Sequence, residues 1–191
     1  MPHLILPGDA TGRCPLRHRG GFTMVELIVV LMLVGILGAI GASRFFERSS
    51  FDTAAYADQV RAMLRYAQKA AIARNTPVYV RFEDNRISLC HNEPQGACAA
   101  GALVANPGGF SAADDATRAA CGGADWYCIG KPPNVAWNTA PTADWVKFDA
   151  LGRPLVSGTA PGGVPGGLTL SISGGRDTAT ISVIEETGYV Q

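Results

Sequence analysis

Residues 27–42 read LIVVLMLVGILGAIGA, with no charge and no proline, and this run constrains the chain more than any other feature. Extended back to Phe22 it is interrupted only by Thr23 and Glu26. About twenty residues at about 1.5 Å each just span a hydrocarbon core of about 30 Å. The residues ahead of the run carry Arg13, Arg17 and Arg19 against a single acid, Asp9. Basic charge before an apolar helix holds that end in the cytoplasm and sends the rest outward. Two fates fit this pattern. An ordinary secretory signal would be cut at the small residues around Gly41 and Ala42 and discarded; a retained helix would anchor the chain. A buried core helix fits neither the length nor the charged flank. Glu26 favours retention, because an ionised carboxylate at the membrane entry is costly without a partner, and a discarded signal has no use for it.

The stretch Arg19-Gly20-Gly21-Phe22-Thr23-Met24-Val25-Glu26-Leu27 resembles the class III leader junction of type IV pilins and type II secretion pseudopilins. The shared features are glycine before the cut, Phe at the new first position, Glu at the fifth, and then an uninterrupted apolar helix. The resemblance implies that prepilin peptidase cleaves between Gly21 and Phe22, methylates the new amino group of Phe22, and leaves the apolar segment in place. It also implies a role for Glu26 in assembly. The electrostatics agree: a cationic amine at Phe22 of one subunit can neutralise Glu26 of its neighbour, so each charge is satisfied only on assembly. Many pilins carry a kinking proline near the position of Ser43, and this chain does not. Gly35, Gly38 and Gly41 supply low-propensity sites instead. They serve close packing or local unwinding in a filament, or they are the ordinary glycine enrichment of membrane helices.

Beyond the apolar run the pattern becomes amphipathic. Ala54, Ala57, Val60, Leu64, Ala67, Ala71 and Ile72 recur at three- and four-residue spacing, while Arg61, Arg65 and Lys69 form a separate stripe. Asp58 balances part of that charge, so the stripe reads as a solvated face, with a nucleic acid or a partner as the alternative. Asn75, Thr76 and Pro77 close the helix. The expected organisation is a leader over 1–21, a transmembrane or filament-core helix over 22–43, the amphipathic half of that helix over 44–75, and a β-rich domain over 76–191. In the last, Val78, Val80 and Phe82 alternate with Tyr79 and Arg81, then turn into Ile87 and Leu89 as a hairpin. Trp145 to Phe148 reads as a strand. Leu168, Leu170 and Ile172 form another, returning through Gly174 and Gly175 into residues 178–184, with a last short pairing at 188–190. Residues 157–167 read as a flexible loop. One long helix followed by short strands predicts an α+β fold, the helix packed on antiparallel sheets.

The segment SRFFERSSFDTAAYADQVRAMLRYAQKAAIA, together with FDALGRP and EETGYV, resembles the GspH/FimT-like group, and within it the minor pilins of the MSHA type. That resemblance implies a β-sandwich against the helix, a place in the inner membrane with a single pass and a periplasmic C-terminal domain, and incorporation into a pilus or pseudopilus. It also implies partners: prepilin peptidase, other pilins through helix packing, an assembly platform and an ATPase. It does not extend over residues 92–138, which with Cys90 and His91 make an irregular insertion over 90–138. Export bears on the cysteines. Cys14 falls in the leader, leaving Cys90, Cys98, Cys121 and Cys128 in an oxidising compartment, which suggests two disulfides. Three pairings are open; the local one, Cys90 with Cys98 and Cys121 with Cys128, is preferred because it brackets the insertion. A zinc site using His91 and Glu93 is the alternative, though the cysteine spacings suit structural zinc poorly.

An enzyme is not expected. His3 and His18 lie in the leader, so His91 is the single histidine after cleavage, and no G-x-S-x-G, P-loop or other catalytic constellation appears. The acid pairs Asp114–Asp115 and Glu185–Glu186 read as solvated. No cofactor or metal is implied. The whole chain is neutral, 16 basic against 16 acidic residues. Removing residues 1–21 takes away three arginines and one aspartate, leaving 13 basic against 15 acidic. A net negative chain argues against the DNA-binding role of some FimT-like pilins, which needs clustered cations, and no nucleic acid is expected as a partner. The favoured reading is a minor pilin of a type IV, MSHA-like pilus. The alternatives are a GspH-type minor pseudopilin of a type II secretion system and a secreted domain cut near Ala42.

Overall fold

A computed structural model of the chain describes residues 22–93, 98–109, 114–123, 125–158 and 163–191, with backbone alone over 40–50. It divides into two compact units, Met1–Gly41 and Ala42–Gln191. Helix α1 covers Met24–Arg74, starting two residues later than the pattern predicts. Thr23 explains the start. Its Oγ1 accepts the Glu26 amide at 3.2 Å and its carbonyl accepts the Leu27 amide at 3.2 Å. Threonine at the cap with glutamate three residues on is the composition of a capping box, and the acid suits the positive end of the helix dipole. At the other end the Asn75 amide donates to Ile72 O and the Thr76 amide to Ala71 O, both at 3.2 Å, with Asn75 at φ 51°. This is a Schellman stop, in which Asn takes the left-handed position usually given to Gly, and Pro77 follows it.

Within Ala42–Gln191, Tyr56, Ala57, Val60, Met63, Leu64, Ala67 and Ala71 of α1 are buried. Ala54 and Ile72, predicted in that stripe, are exposed. At about 100° per residue both lie about 120° from Val60, outside the packed arc, whereas Tyr56 and Met63 fall within about 60° of it. The stripe packs on two antiparallel sheets. The hairpin of β1 (Val78–Glu83) and β2 (Arg86–Cys90) turns at Asp84 and Asn85. Helix α2 (Asp115–Cys121), β3 (Cys128–Gly130) and β4 (Val135–Ala140) follow. The chain continues through β5 (Trp145–Phe148), β6 (Pro154–Val156), β7 (Val164–Pro165), β8 (Leu168–Gly174) and β9 (Asp177–Val183). Among the described residues one sheet has the order β3-β2-β1-β5-β6-β7 and the other β4-β8-β9.

Alternation aims one face of each sheet at the helix. Val78, Val80, Phe82, Ile87, Leu89, Val146 and Phe148 enter from the larger sheet and Leu168, Leu170, Ile172, Ile181 and Val183 from the smaller, forming one core with the α1 stripe. Each such side chain, fully buried, contributes about 1.5–3 kcal/mol. The fold class is therefore α+β, as the pattern predicts.

The segment 90–138 is more ordered than an irregular insertion. β3 extends the larger sheet beyond β2, and β4 completes the smaller one against β8. Asp114 is not simply solvated: its Oδ1 accepts the Thr117 amide at 2.6 Å and caps α2, while Asp115 pairs with Arg118. Thr117 Oγ1 accepts the Gly130 amide at 3.0 Å, and a Cβ on Gly130 would come within 2.2 Å of Ala116 O. Only glycine lets α2 lie this close to β3. The loop predicted over 157–167 contains β7, which pairs with β6, while 159–162 lie outside the described residues.

Candidate functional site

The predicted cleavage position Gly21 lies outside the described residues. Phe22 and Glu26 lie within them, both exposed, Phe22 just ahead of α1 and Glu26 in its first turn. Every described side chain from Phe22 to Ala39 is exposed, including Leu27, Leu31, Val34 and Leu37. Such an apolar surface, bare around this stretch of the helix, is covered by none of the described residues of its own unit. Cβ atoms placed on Gly35 and Gly38 would meet nothing within 4 Å. Among the described residues no helix is long and apolar enough to cross a membrane; the described side chains of the run stop at residue 39.

The second group of predicted residues is sulfur. Cys90 is bonded to Cys98 and Cys121 to Cys128. This is the local pairing, and it leaves no thiolate among these four for zinc. Both bridges sit on the face of the larger sheet turned away from α1. Cys90 packs with Tyr79 and Trp145, whose rings meet edge-on at 5.2 Å, and Cys98 reaches both this cluster and that of Cys121, Trp126 and Cys128. Trp126 Nε1 donates to Cys121 O at 3.0 Å. His91 accepts from Arg74 Nη1 at 2.8 Å, and partial burial followed by the Arg74 charge lowers its pKa. It acts as an acceptor at the end of α1. Among the described residues no group of three or more His, Cys, Asp or Glu could hold a metal.

A third constellation carries no chemistry and was not visible as a site in the sequence. Gln68 Nε2 donates to Gly152 O at 3.1 Å and to Thr187 O at 2.8 Å. Arg65 donates to Val190 O from Nε at 3.2 Å and from Nη2 at 3.0 Å. The FDALGRP and EETGYV segments thus meet on α1. Gly188, at φ 65°, would set a Cβ 2.1 Å from Gly152 O. Asp149 closes its turn by accepting the Leu151 and Arg153 amides at 2.9 and 2.8 Å and the Arg153 Nε at 3.0 Å. Partial burial pushes its carboxyl up, but these bonds and the Arg153 charge outweigh it and hold the group below its usual range. The predicted basic stripe is divided accordingly: Arg61 pairs with Asp58, Arg65 holds the C-terminal strand, and Lys69 is exposed.

Residues 56–186 match the family model described as type II transport protein GspH, and residues 16–42 match the prokaryotic N-terminal methylation motif. In fold the chain is similar to the type IV minor pilin FimU of Pseudomonas aeruginosa (strain PAO1). In one crystal form the identity is 16%, the match covers 77% of this chain and 90% of that one, and the TM-score is 0.50. In a second form the figures are 15%, 71%, 87% and 0.46. No curated protein matches the sequence.

Proposed function

We propose a function on the premise that this chain belongs to the type II transport protein GspH family, whose members are pilin-like filament subunits: it is a minor pilin of a type IV, MSHA-like pilus. Its role is structural. Prepilin peptidase removes residues 1–21 and methylates Phe22. Residues 22–43 then lie in the inner membrane and later in the filament core, residues 44–75 continue the helix, and residues 76–191 form the periplasmic domain. The observation that carries the reading is the match to the N-terminal methylation motif over 16–42, which takes in the first turns of α1, where every described side chain up to Ala39 is exposed. Two disulfides suit a domain that matures outside the cytoplasm.

Glu26 gives the reading its chemistry. An exposed carboxylate within an apolar helix is costly in lipid and is neutralised by the amine of Phe22 on a neighbouring subunit. The intact mass of the chain extracted from membranes tests the processing step. A chain beginning at methylated Phe22 is expected, and one beginning near Ser43 would overturn the proposal. Glu26→Ala is expected to be cleaved normally and yet be lost from sheared filaments.

A second reading, a minor pseudopilin of a type II secretion system, is favoured by the family's own description as a type II transport protein. Deleting the gene separates the two. Loss of surface pili with secretion intact supports the first reading, and loss of secreted enzymes with pili intact supports the second. DNA binding is not expected of a chain carrying 13 basic and 15 acidic residues after residue 21, with Arg61 and Arg65 engaged internally. No retained DNA in a gel shift at about 50 mM salt is the expected result.

A further inference from the structure

The two disulfides lie beside one another on the outer face of the larger sheet. Ser88 stands directly opposite Cys128 across β2 and β3, a placing that sets Cβ atoms about 4.5–5.5 Å apart. Cys90 follows Ser88 on the same face of β2, since side chains alternate along a strand. Cys98 Sγ lies 3.7 Å from Ser88 Oγ, so the sulfur bonded to Cys90 rests over the residue that faces Cys128. The packing agrees: Cys98 touches the cluster of Cys90, Tyr79 and Trp145 and also that of Cys121, Trp126 and Cys128. It is the one cysteine common to both.

Exposure singles out the same residue. Cys90, Cys121 and Cys128 are 0%, 7% and 3% exposed, whereas Cys98 is only partly buried. A thiolate arriving from solvent therefore meets Cys98 first, and access decides which sulfur is attacked. Once Cys98 is itself a thiolate, the Ser88 hydroxyl, buried beside it, is the donor of their hydrogen bond and favours the charged form.

We infer that Cys98 is a thiol-exchange site, through which a dithiol reductant acts on both bridges. A thiolate of the reductant attacks Cys98 Sγ, the Cys90–Cys98 bond breaks, and the electron pair leaves on Cys90 Sγ, which takes a proton from water. The reductant's second thiolate then closes the reductant's own disulfide and releases Cys98 as a thiolate, so the reductant is oxidised and the chain reduced by one electron pair. The Cys98 thiolate next attacks Cys128 Sγ. A Cys98–Cys128 bond forms, the Cys121–Cys128 bond breaks, and Cys121 Sγ leaves with the pair and takes a proton, with no further change in oxidation state. Cys121 ends α2 and Cys128 opens β3, so reduction at Cys98 removes the covalent tie between α2 and the sheet. The exchange belongs to the β-rich domain and is independent of how α1 is used.

The test treats the full chain in detergent with a single equivalent of dithiothreitol, alkylates the free thiols, and maps the remaining bridges in peptides without further reduction. A Cys98–Cys128 peptide is expected, with Cys90 and Cys121 alkylated. It should exceed each of the other non-native pairings, Cys90–Cys121, Cys90–Cys128 and Cys98–Cys121, by about tenfold, the advantage of sulfurs already side by side over random reshuffling. Native bridges alone, or non-native pairings in equal amounts, would overturn the proposal. Cys90→Ser gives a second measurement, because it leaves Cys98 without its native partner. That chain, prepared without reductant, should carry Cys98–Cys128 with Cys121 alkylated alongside Cys121–Cys128 with Cys98 alkylated; the latter species alone would also overturn the proposal.

Discussion

Gly188 is a residue whose replacement the fold tolerates poorly. It combines φ 65° with a neighbouring backbone oxygen 2.1 Å from where a Cβ would stand and Gln68 Nε2 at 2.7 Å. Gly188→Ala cannot relieve the clash without moving the turn at Gly152. It is expected to cost about 2 kcal/mol or more, seen as a fall of about 4–8 °C in the Tm of the full chain in detergent. Gln68→Leu keeps the volume and removes both bonds, leaving two carbonyls short of a donor, and should cost about 1–3 kcal/mol in the same measurement. Asp149 has a depressed pKa in the fold, from hydrogen bonds that overcome its partial burial. Its stabilising effect is complete above the ordinary carboxylate range, about pH 4, and is lost as pH falls through the depressed value. Asp149→Asn should lower stability near neutrality and flatten the acid limb of a pH–stability curve. An unchanged acid limb would show that the turn is held by its amides alone.

At the scale of elements, the end of α1 offers a direct comparison. Asn75 stands at φ 51°, so Asn75→Gly should be neutral or slightly stabilising, while Asn75→Ile should cost about 1–2 kcal/mol for a branched residue forced left-handed. Chemical denaturation of the two variants checks this. The stop was legible because Asn-Thr-Pro is a strong local signal. The start was placed two residues early, at Phe22, although Thr23 and Glu26 have capping-box spacing, because the same letters serve a leader junction. The strands β1, β2, β5, β8 and β9 were legible from alternation, since each spans four residues or more with one apolar face. β3 and α2 were not: three strand residues cannot display a period, and α2 depends on Asp114 as cap and on contact with Gly130. Tyr56 and Met63 escaped the predicted core because a stripe drawn from alanines and valines was centred off the packed arc. Of the candidate site, Phe22, Glu26 and the four cysteines stood out by type and spacing. Gln68 did not, because its carbonyl partners lie 84 and 119 residues away and nothing local marks it.

For the whole molecule, the two disulfides set how the β-rich unit responds to its surroundings. They close loops with sequence separations of 8 and 7, each worth about 2.5 kcal/mol by loop-closure entropy. Adding reductant to the full chain should therefore lower its Tm by about 10–20 °C. A drop of only a few degrees would mean that packing of Tyr79, Trp126 and Trp145 holds that face alone. The bonds from α1 to Gly152, Thr187 and Val190 set the order of events in time. The helix reaches the ribosome exit well over a hundred residues before its last acceptor does, since Arg65 and Val190 are 125 positions apart. Until then the stripe of Val60, Leu64 and Ala67 has no complete cover, and long-range closure of this kind is slow. A chain delivered N-terminus first must remain open through nearly all of its export, and so depends on whatever shields an apolar helix face during that interval.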